Sequence, residues 1–437
     1  MAARLGSLTA ALVPALGLAC AATFTVAPGS AEADTAGRTS AQHADRQRVP
    51  QTSDGVRGER ARPLPDAFRV QDTWTTLQTY PVAPGVSSEQ FTLTGARKTL
   101  RGQLVRIDPA TPGLGFDLVA GKHVASRHLV ADVMDPTAVV GVNGDFFDIR
   151  DTDAPLGVAK DQQRGVLNGV QSGWNSAFWV DPTGVPHIGD LYADAVIRQR
   201  PRIDVTTVNS PSVRPRQIGL YTKDWGTLQG YRVVDGKRRD VRMVVVRHER
   251  VVATKEKFPD TKKVRGGVVL VGRGAGADRL ARLRVGQKVT TDVTLSQDVA
   301  MAITGNMFIL RDGVRISKDD RDLHPRTAIG IDRDTGQLLL VVMDGRSEIS
   351  RGATMLEMAK LFERLGAEDA LNLDGGGSSI MLLRQADGSL AVANTPSDGQ
   401  PRPVANGLEI TYQAPAAAPP SSSARSTRVT ETAPSAR

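Results

Sequence analysis

From residue 65 to residue 413 the apolar runs are short, β-branched and closed by Gly or Asp, which constrains this stretch to strands joined by turns. Val241–Val246 followed by Val251–Ala253 predicts a hairpin. Thr327–Asp332, the turn Arg333-Asp334-Thr335-Gly336 and Gln337–Asp344 predict a second. Ala138–Val142, Val268–Val271 and Val289–Leu295 add further strands. Helical spacing is confined to Val124–Met134, Ala277–Leu283 and Met355–Leu365. The last is the strongest, because Met355, Met358, Ala359, Phe362 and Leu365 share a face and Gly366 stops the helix. Thr354-Met355-Leu356-Glu357 is a capping box, which gives Thr354 and Glu357 a structural use without any chemistry. There is no βαβ rhythm and no repeat of about 20–50 residues. The expected fold class is therefore α+β: strand-rich mixed sheets with a few packed helices, in a single large domain over 65–413 flanked by disordered ends.

The ends differ from this core. Arg4, an apolar run from Leu5 to about Ala27 and the small residues of Ala31-Glu32-Ala33 predict a signal peptide over 1–33. The mature chain is then expected to begin near Asp34 and to work outside the cell, secreted or wall-associated. Residues 34–64 and 414–437 hold too few large apolar side chains to offset ordering entropy and are expected to be disordered. Lys plus Arg is 55 and Asp plus Glu is 47, a net +8, and half of it lies in these two tails. With aromatic residues at 4%, the core offers few stacking platforms, so nucleic acid is not an expected partner. An anionic wall polymer or glycan suits a mildly basic chain better. No run outside the signal is long and apolar enough to span a bilayer, so no stable membrane insertion is expected after cleavage. The single Cys, Cys20, lies within the signal, which excludes disulfides, Cys-based metal sites and Cys nucleophiles from the mature chain.

Four stretches look unlike packing. In the first, the apolar strand Ala138–Val142 ends in Asn143-Gly144-Asp145-Phe146-Phe147-Asp148, so polar side chains appear where the strand leaves the core. Asp145, Asp148, Asp151 and Asp153 could attract calcium, but Ala154 and Pro155 break the EF-hand pattern. No cofactor is expected, with calcium the one alternative kept. The second and third, His324-Pro325-Arg326-Thr327 and Asp344-Gly345-Arg346, open and close the second hairpin. If 332 pairs with 337, then 326 pairs with 343, and both motifs reach one sheet edge. Arg326 and Arg346 there, with a carboxylate between, would make an anion clamp. The fourth is Leu371-Asn372-Leu373-Asp374-Gly375-Gly376-Gly377-Ser378-Ser379-Ile380. Three successive glycines cost backbone entropy, and they suit a turn that a ligand approaches closely or whose amides cradle a phosphate oxygen. A flexible hairpin tip is the plainer alternative.

Together, Asn143-Gly144-Asp145-Phe146-Phe147, His324–Gly330, Asp344-Gly345-Arg346 and Leu371–Ser379 occur in the order found in phosphodiester glycosidase domains. The chain resembles a secreted bacterial member of that family, the one to which the mannose 6-phosphate uncovering enzyme belongs. Val208-Asn209-Ser210, Leu220-Tyr221-Thr222, Asn394–Gly399 and Arg402-Pro403-Val404 with Asn406 are similar too, so the likeness runs from about 85 to 413. Asp145 stands where many members have a second Gly. The resemblance implies hydrolysis of a sugar-1-phosphate diester, releasing the sugar and leaving a phosphomonoester. It implies a phosphate-linked glycan or a teichoic-acid-like polymer as substrate. Arg326, Arg346 and the turn Gly375-Gly376-Gly377 would hold the phosphate, which leaves with about −1.5 to −2 charge. Asp374, and after it Asp145, would be the catalytic carboxylate. Asn143 and Asn372 would hold sugar hydroxyls or an amide, and Thr327, Asp344, Ser378 and Ser379 would complete the substrate contacts. Two alternatives stand beside this: a metal-dependent phosphodiesterase that breaks P–O, and a non-catalytic module that binds wall polyanions.

Overall fold

The computed structural model describes residues 50–62, 64 and 72–415. The expected signal peptide and all but the first two residues of the 414–437 tail lie outside the described residues. Those described fall in one compact unit, Gln47–Arg437. The elements that build the site are, in chain order, β1 (Glu59–Arg60), β2 (Leu114–Ala120), β3 (Ala138–Asn143), β4 (Gly165–Val170), β5 (Ser176–Val180), β6 (Met301–Thr304), β7 (Met307–Arg311), β8 (Arg326–Ile331), β9 (Leu338–Met343), α1 (Met355–Arg364), β10 (Asp369–Asn372), β11 (Met381–Arg384) and β12 (Asn406–Tyr412).

Three large sheets carry these strands. An eight-stranded sheet holds β9, β8, β10 and β7 side by side. A five-stranded sheet holds β11, β3, β12 and β2 in that order. A ten-stranded sheet contains β5, β6 and β4, and its Thr207–Val208 strand runs parallel to Ile218–Tyr221, so it is mixed. The α+β expectation agrees with this strand-rich architecture.

The run Leu338–Met343 shows why the eight-stranded sheet sits at the centre. Side chains alternate across a strand. Leu338, Leu340 and Val342 enter the main core with Val140, Val142, Ile329 and Leu371. Leu339, Val341 and Met343 pack on the other face against Met355, Met358, Ala359 and Phe362 of α1. A strand buried on both faces must be apolar throughout, and each such side chain contributes about 1.5–3 kcal/mol on burial. The predicted register holds: Arg326 pairs with Met343, and Ile331 with Leu338. The capping box forms, with the Thr354 hydroxyl accepting from the Glu357 amide and the Glu357 carboxylate from the Thr354 amide.

Two expectations are corrected and one alternative is set aside. The helix expected over Val124–Met134 shrinks to Val130–Val133. Tertiary pairing overrides the helical spacing, because His128 exchanges backbone hydrogen bonds with Val404 and the Val124 amide donates to Asp224. The segment 34–64, expected to be disordered, is docked where it is described. β1 pairs with Asp322–Leu323, the Gln51 carbonyl accepts from the Ile149 amide, and the Ala61 amide donates to Arg321. Finally, the triple glycine is not a hairpin tip. β10 belongs to the eight-stranded sheet and β11 to the five-stranded one, so Leu373–Ile380 is a crossing between sheets. The Leu373 amide still donates to Thr327 of β8, while the Asp374 amide already donates to Gly144 beyond β3.

Candidate active site

Asn143 pins this crossing. It is fully buried at the end of β3. Its Nδ2 donates to the Asp374 carbonyl at 2.6 Å. Its Oδ1 accepts from the Thr327 hydroxyl at 2.8 Å and from the Ile380 amide at 3.1 Å. Both lone pairs are thus used, and Thr327 is equally buried. Asn143 and Thr327, expected to touch substrate, spend these hydrogen bonds on locking β3, β8 and the glycine crossing together.

Two carboxylates converge at this junction. Asp145 accepts from the Thr304 amide at 2.6 Å, from the Thr304 hydroxyl at 3.0 Å and from Asn406 Nδ2 at 3.2 Å. Burial pushes it up to about 7 against those bonds, and the nearby charge of Asp374 adds to the rise. Asp374, 6% exposed, accepts the Gly375 amide at 2.9 Å. Burial also raises it to about 7, against hydrogen bonds from the Ser378 hydroxyl and that amide and the charge of Arg402, while the charge of Asp54 raises it further. Both carboxyls therefore exchange their protons near neutrality.

Beside Asp374 lies an anion clamp that is already filled. Asp54 Oδ2 sits 2.9 Å from Arg346 Nη1 and 3.0 Å from Arg402 Nη2. The three side chains are only 11–14% exposed. Burial would raise Asp54, but hydrogen bonds from Arg346, the Val56 amide and Arg402 outweigh it and hold the carboxyl at about 2. The glycine crossing forms the floor. Gly376 has φ +62°, and a Cβ there would stand 3.1 Å from Arg346 Nη2. A Cβ on Gly377 would lie 1.9 Å from Arg402 Nη2, so a side chain at that position would evict the guanidinium. Arg346 is itself held at φ 57°, a conformation that costs a bulky residue about 1–2 kcal/mol. Strain of that kind persists where surrounding contacts fix it, commonly at a ligand clamp.

The remaining expected residues divide. Arg326 and Arg346 do reach one edge, but Arg326 is not the second arm of the clamp. Its Nε donates to Ala353 and its Nη2 to Asp322, both backbone carbonyls. Burial pulls it down to about 10, against the charges of Asp319 and Asp322. Arg402 takes the second arm. It stood in the sequence within Arg402-Pro403-Val404, with nothing local to mark it as a partner of Arg346. Asp344 does not lie between guanidiniums; it accepts the Thr395 amide at 2.8 Å. His324 Nδ1 accepts from Arg346 Nη2 at 3.2 Å, and burial with the charges of Arg326 and Arg346 keeps the ring below its ordinary value, hence neutral. Asn372 donates to Asn306 Oδ1, but its own Oδ1 is buried with no partner. The hydroxyls of Ser379 and Ser397, and Nε of Arg346, are likewise buried without partners among the described residues. An unsatisfied buried polar atom calls for a partner such as a ligand or a water.

Calcium gains no support from the acidic stretch. Asp148 accepts from Gln51 and Thr152, Asp145 from Thr304 and Asn406, and no group of three or more His, Cys, Asp or Glu among the described residues could hold a metal ion. A cavity of about 700 Å³ opens along α1 between Arg97, Asp320, Arg351 and Glu357, and none of the motif residues lines it.

Residues 229–411 match the family model described as phosphodiester glycosidase. The resemblance carried by the motifs is borne out over that span, and Asn143–Asp145, outside it, is joined to it by the geometry above. A stretch of 132 residues, 29% of this chain, is 33% identical to the SPbeta prophage-derived uncharacterized protein YomE of Bacillus subtilis, covering 20% of it. Another of 73 residues, 17% of this chain, is 45% identical to the N-acetylglucosamine-1-phosphodiester alpha-N-acetylglucosaminidase of Mus musculus, covering 13% of it. The matches thus span a fifth or less of these relatives' length. The fold is shared with a hypothetical protein from Synechocystis, at TM-score 0.64 and 21% identity over 78% of this chain and 64% of that one.

Proposed function

We propose that the chain hydrolyses the glycosidic C–O bond of a sugar-1-phosphate diester in a glycan or wall polymer, outside the cell. The observation that carries this reading is the Asp54 carboxylate held between Arg346 and Arg402 on the glycine floor, next to the buried pair Asp374 and Asp145. An anion already fits the clamp, and a phosphate offers more oxygens of the same kind. With phosphate there, the scissile oxygen faces the carboxylates. Water attacks the anomeric carbon and gives its proton to a carboxylate. The C–O bond breaks, and its electron pair leaves with the phosphate, whose growing charge the two guanidiniums and the turn stabilise. The products are the free sugar and a phosphomonoester.

Asp374 is the carboxylate for this step. It accepts from the Gly375 amide and the Ser378 hydroxyl, fewer partners than the three that anchor Asp145, and is the freer of the two to meet water or the anomeric centre. Asp145, anchored by Thr304 and Asn406, is a second carboxyl raised by burial, and the charge of Asp374 raises it further. The unpaired Asn372 Oδ1 supports a role in accepting a sugar hydroxyl. The apolar run before Ala31-Glu32-Ala33 supports the extracellular setting. Incubation with a panel of glycosyl-phosphate diesters, teichoic-acid fragments included, tests the proposal. Free sugar and a phosphomonoester in equal amounts are expected from at least one; no product from any would overturn it.

A further inference from the structure

The clamp accounts for the phosphate half of such a substrate, and one feature beside the carboxylates has no use in it. Trp174 stands in the loop between β4 and β5 at φ 51°, directly after Gly173 at φ 71°. A bulky residue in the left-handed region is an outlier that persists only where its surroundings fix it. Its backbone is wedged against the catalytic centre: a Cβ on Gly157 would stand 2.9 Å from the Trp174 carbonyl and 1.8 Å from the hydroxyl of Thr304, the residue that anchors Asp145. Ser176, two residues on, accepts from the Gly305 amide, and Asn306 beside it binds Asn372. The loop therefore adjoins both Thr304, which anchors Asp145, and the segment Gly305-Asn306, which binds Asn372.

The Trp174 ring lies 5.7 Å from that of Phe146, inclined at 43°, and Phe146 directly follows Asp145. Both side chains are half-buried. Trp174 also packs against the buried cluster of Val158, Val170 and Trp179, while Trp179 and Trp225 lie within the core and Trp74 stacks on Phe91. Two half-exposed aromatic rings at the rim of a polar site offer negative faces, and the C–H face of a pyranose is their natural complement.

We propose that Trp174 and Phe146 form the platform on which the sugar ring lies, with the Asn372 oxygen receiving one of its hydroxyls. This rests on the sugar-phosphate reading and assigns the two halves of the substrate: sugar against Trp174, phosphate against Arg346 and Arg402. The platform needs no charge, so it recognises a neutral glycoside by itself.

Saturation-transfer NMR on the full chain, with neutral methyl glycosides of glucose, galactose and N-acetylglucosamine, tests this without turnover. At least one glycoside is expected to bind the parent, to bind Trp174→Ala about tenfold more weakly or worse, as for loss of a stacking contact, and to be retained by Trp174→Phe. Inorganic phosphate, titrated with each variant carrying Asp54→Ala, is expected to bind unchanged. A glycoside held equally by Trp174→Ala overturns the platform. So does the absence of binding by any glycoside to the parent. Parallel loss of glycoside and phosphate overturns it too, since that outcome means Trp174 only supports the fold. Should the hydrolysis reading fail alone, glycoside binding persists while no diester is cleaved, so the two failures are told apart.

Discussion

Asp374 and Asp145 are sequence neighbours of glycine turns on different sheets, and the same physical cause, removal from water, raises both to about 7. Two consequences can be measured. The acid limb of kcat/KM should fall near pH 7 rather than near 4, and Asp374→Asn should lose roughly 10³-fold in rate while remaining folded. If Asp374 only shaped the turn, Asn would serve as well and the rate would be nearly unchanged. A carboxyl raised on folding stabilises the native state below its unfolded value and loses that contribution as pH rises through about 7. Asp374→Asn should therefore melt higher than the parent at pH 8, by a margin that shrinks toward pH 4. A margin independent of pH would mean that Asp374 is not buried as an acid. The clamp residues have their own signature. Arg346→Ala and Arg402→Ala should each weaken inhibition by inorganic phosphate, by about 2–5 kcal/mol for a desolvated charge pair. Inhibition equal to the parent's in both would remove phosphate from the clamp.

At the scale of elements, the docked strap Pro50–Arg62 is the main departure from the sequence reading. Its composition is that of a disordered segment, and it gains order only through partners far along the chain: β1 on Asp322–Leu323, Asp54 on Arg346 and Arg402. No local pattern reveals contacts about 290 residues apart. Asp54 competes for the place the phosphate would take, so Asp54→Ala should raise phosphate affinity about tenfold or more, the scale of a tethered competitor at millimolar effective concentration. Calorimetry with inorganic phosphate reads this directly, and unchanged affinity would show that the strap does not block the clamp. Because Asp54 stays ionised down to about pH 2, this competition is constant where Asp374 titrates, and a limb near pH 7 reports the catalytic pair. By contrast, the hairpin of β8 and β9 and the cap of α1 were legible in full. Turn residues, alternation and a capping box act over neighbours in sequence, where a pattern can be seen.

For the whole molecule, the sequence marked motifs that the fold brings together but not the partners of each residue. The order of Asn143, Arg326, Arg346 and Asp374 placed four motifs together, and two sheets do converge there. What could not be read was which polar groups the fold itself uses. Asn143 and Thr327 spend their hydrogen bonds on joining the sheets, Asp344 on Thr395, and the clamp recruits Arg402 instead of Arg326. Buried polar groups must be satisfied, and only tertiary structure says by what. The central claim is that this assembly breaks carbon–oxygen rather than phosphorus–oxygen bonds. It is tested most directly by running the hydrolysis in oxygen-18 water and weighing both products. The account predicts the label in the released sugar and none in the phosphomonoester. Label in the phosphate would contradict it and make the protein a phosphodiesterase.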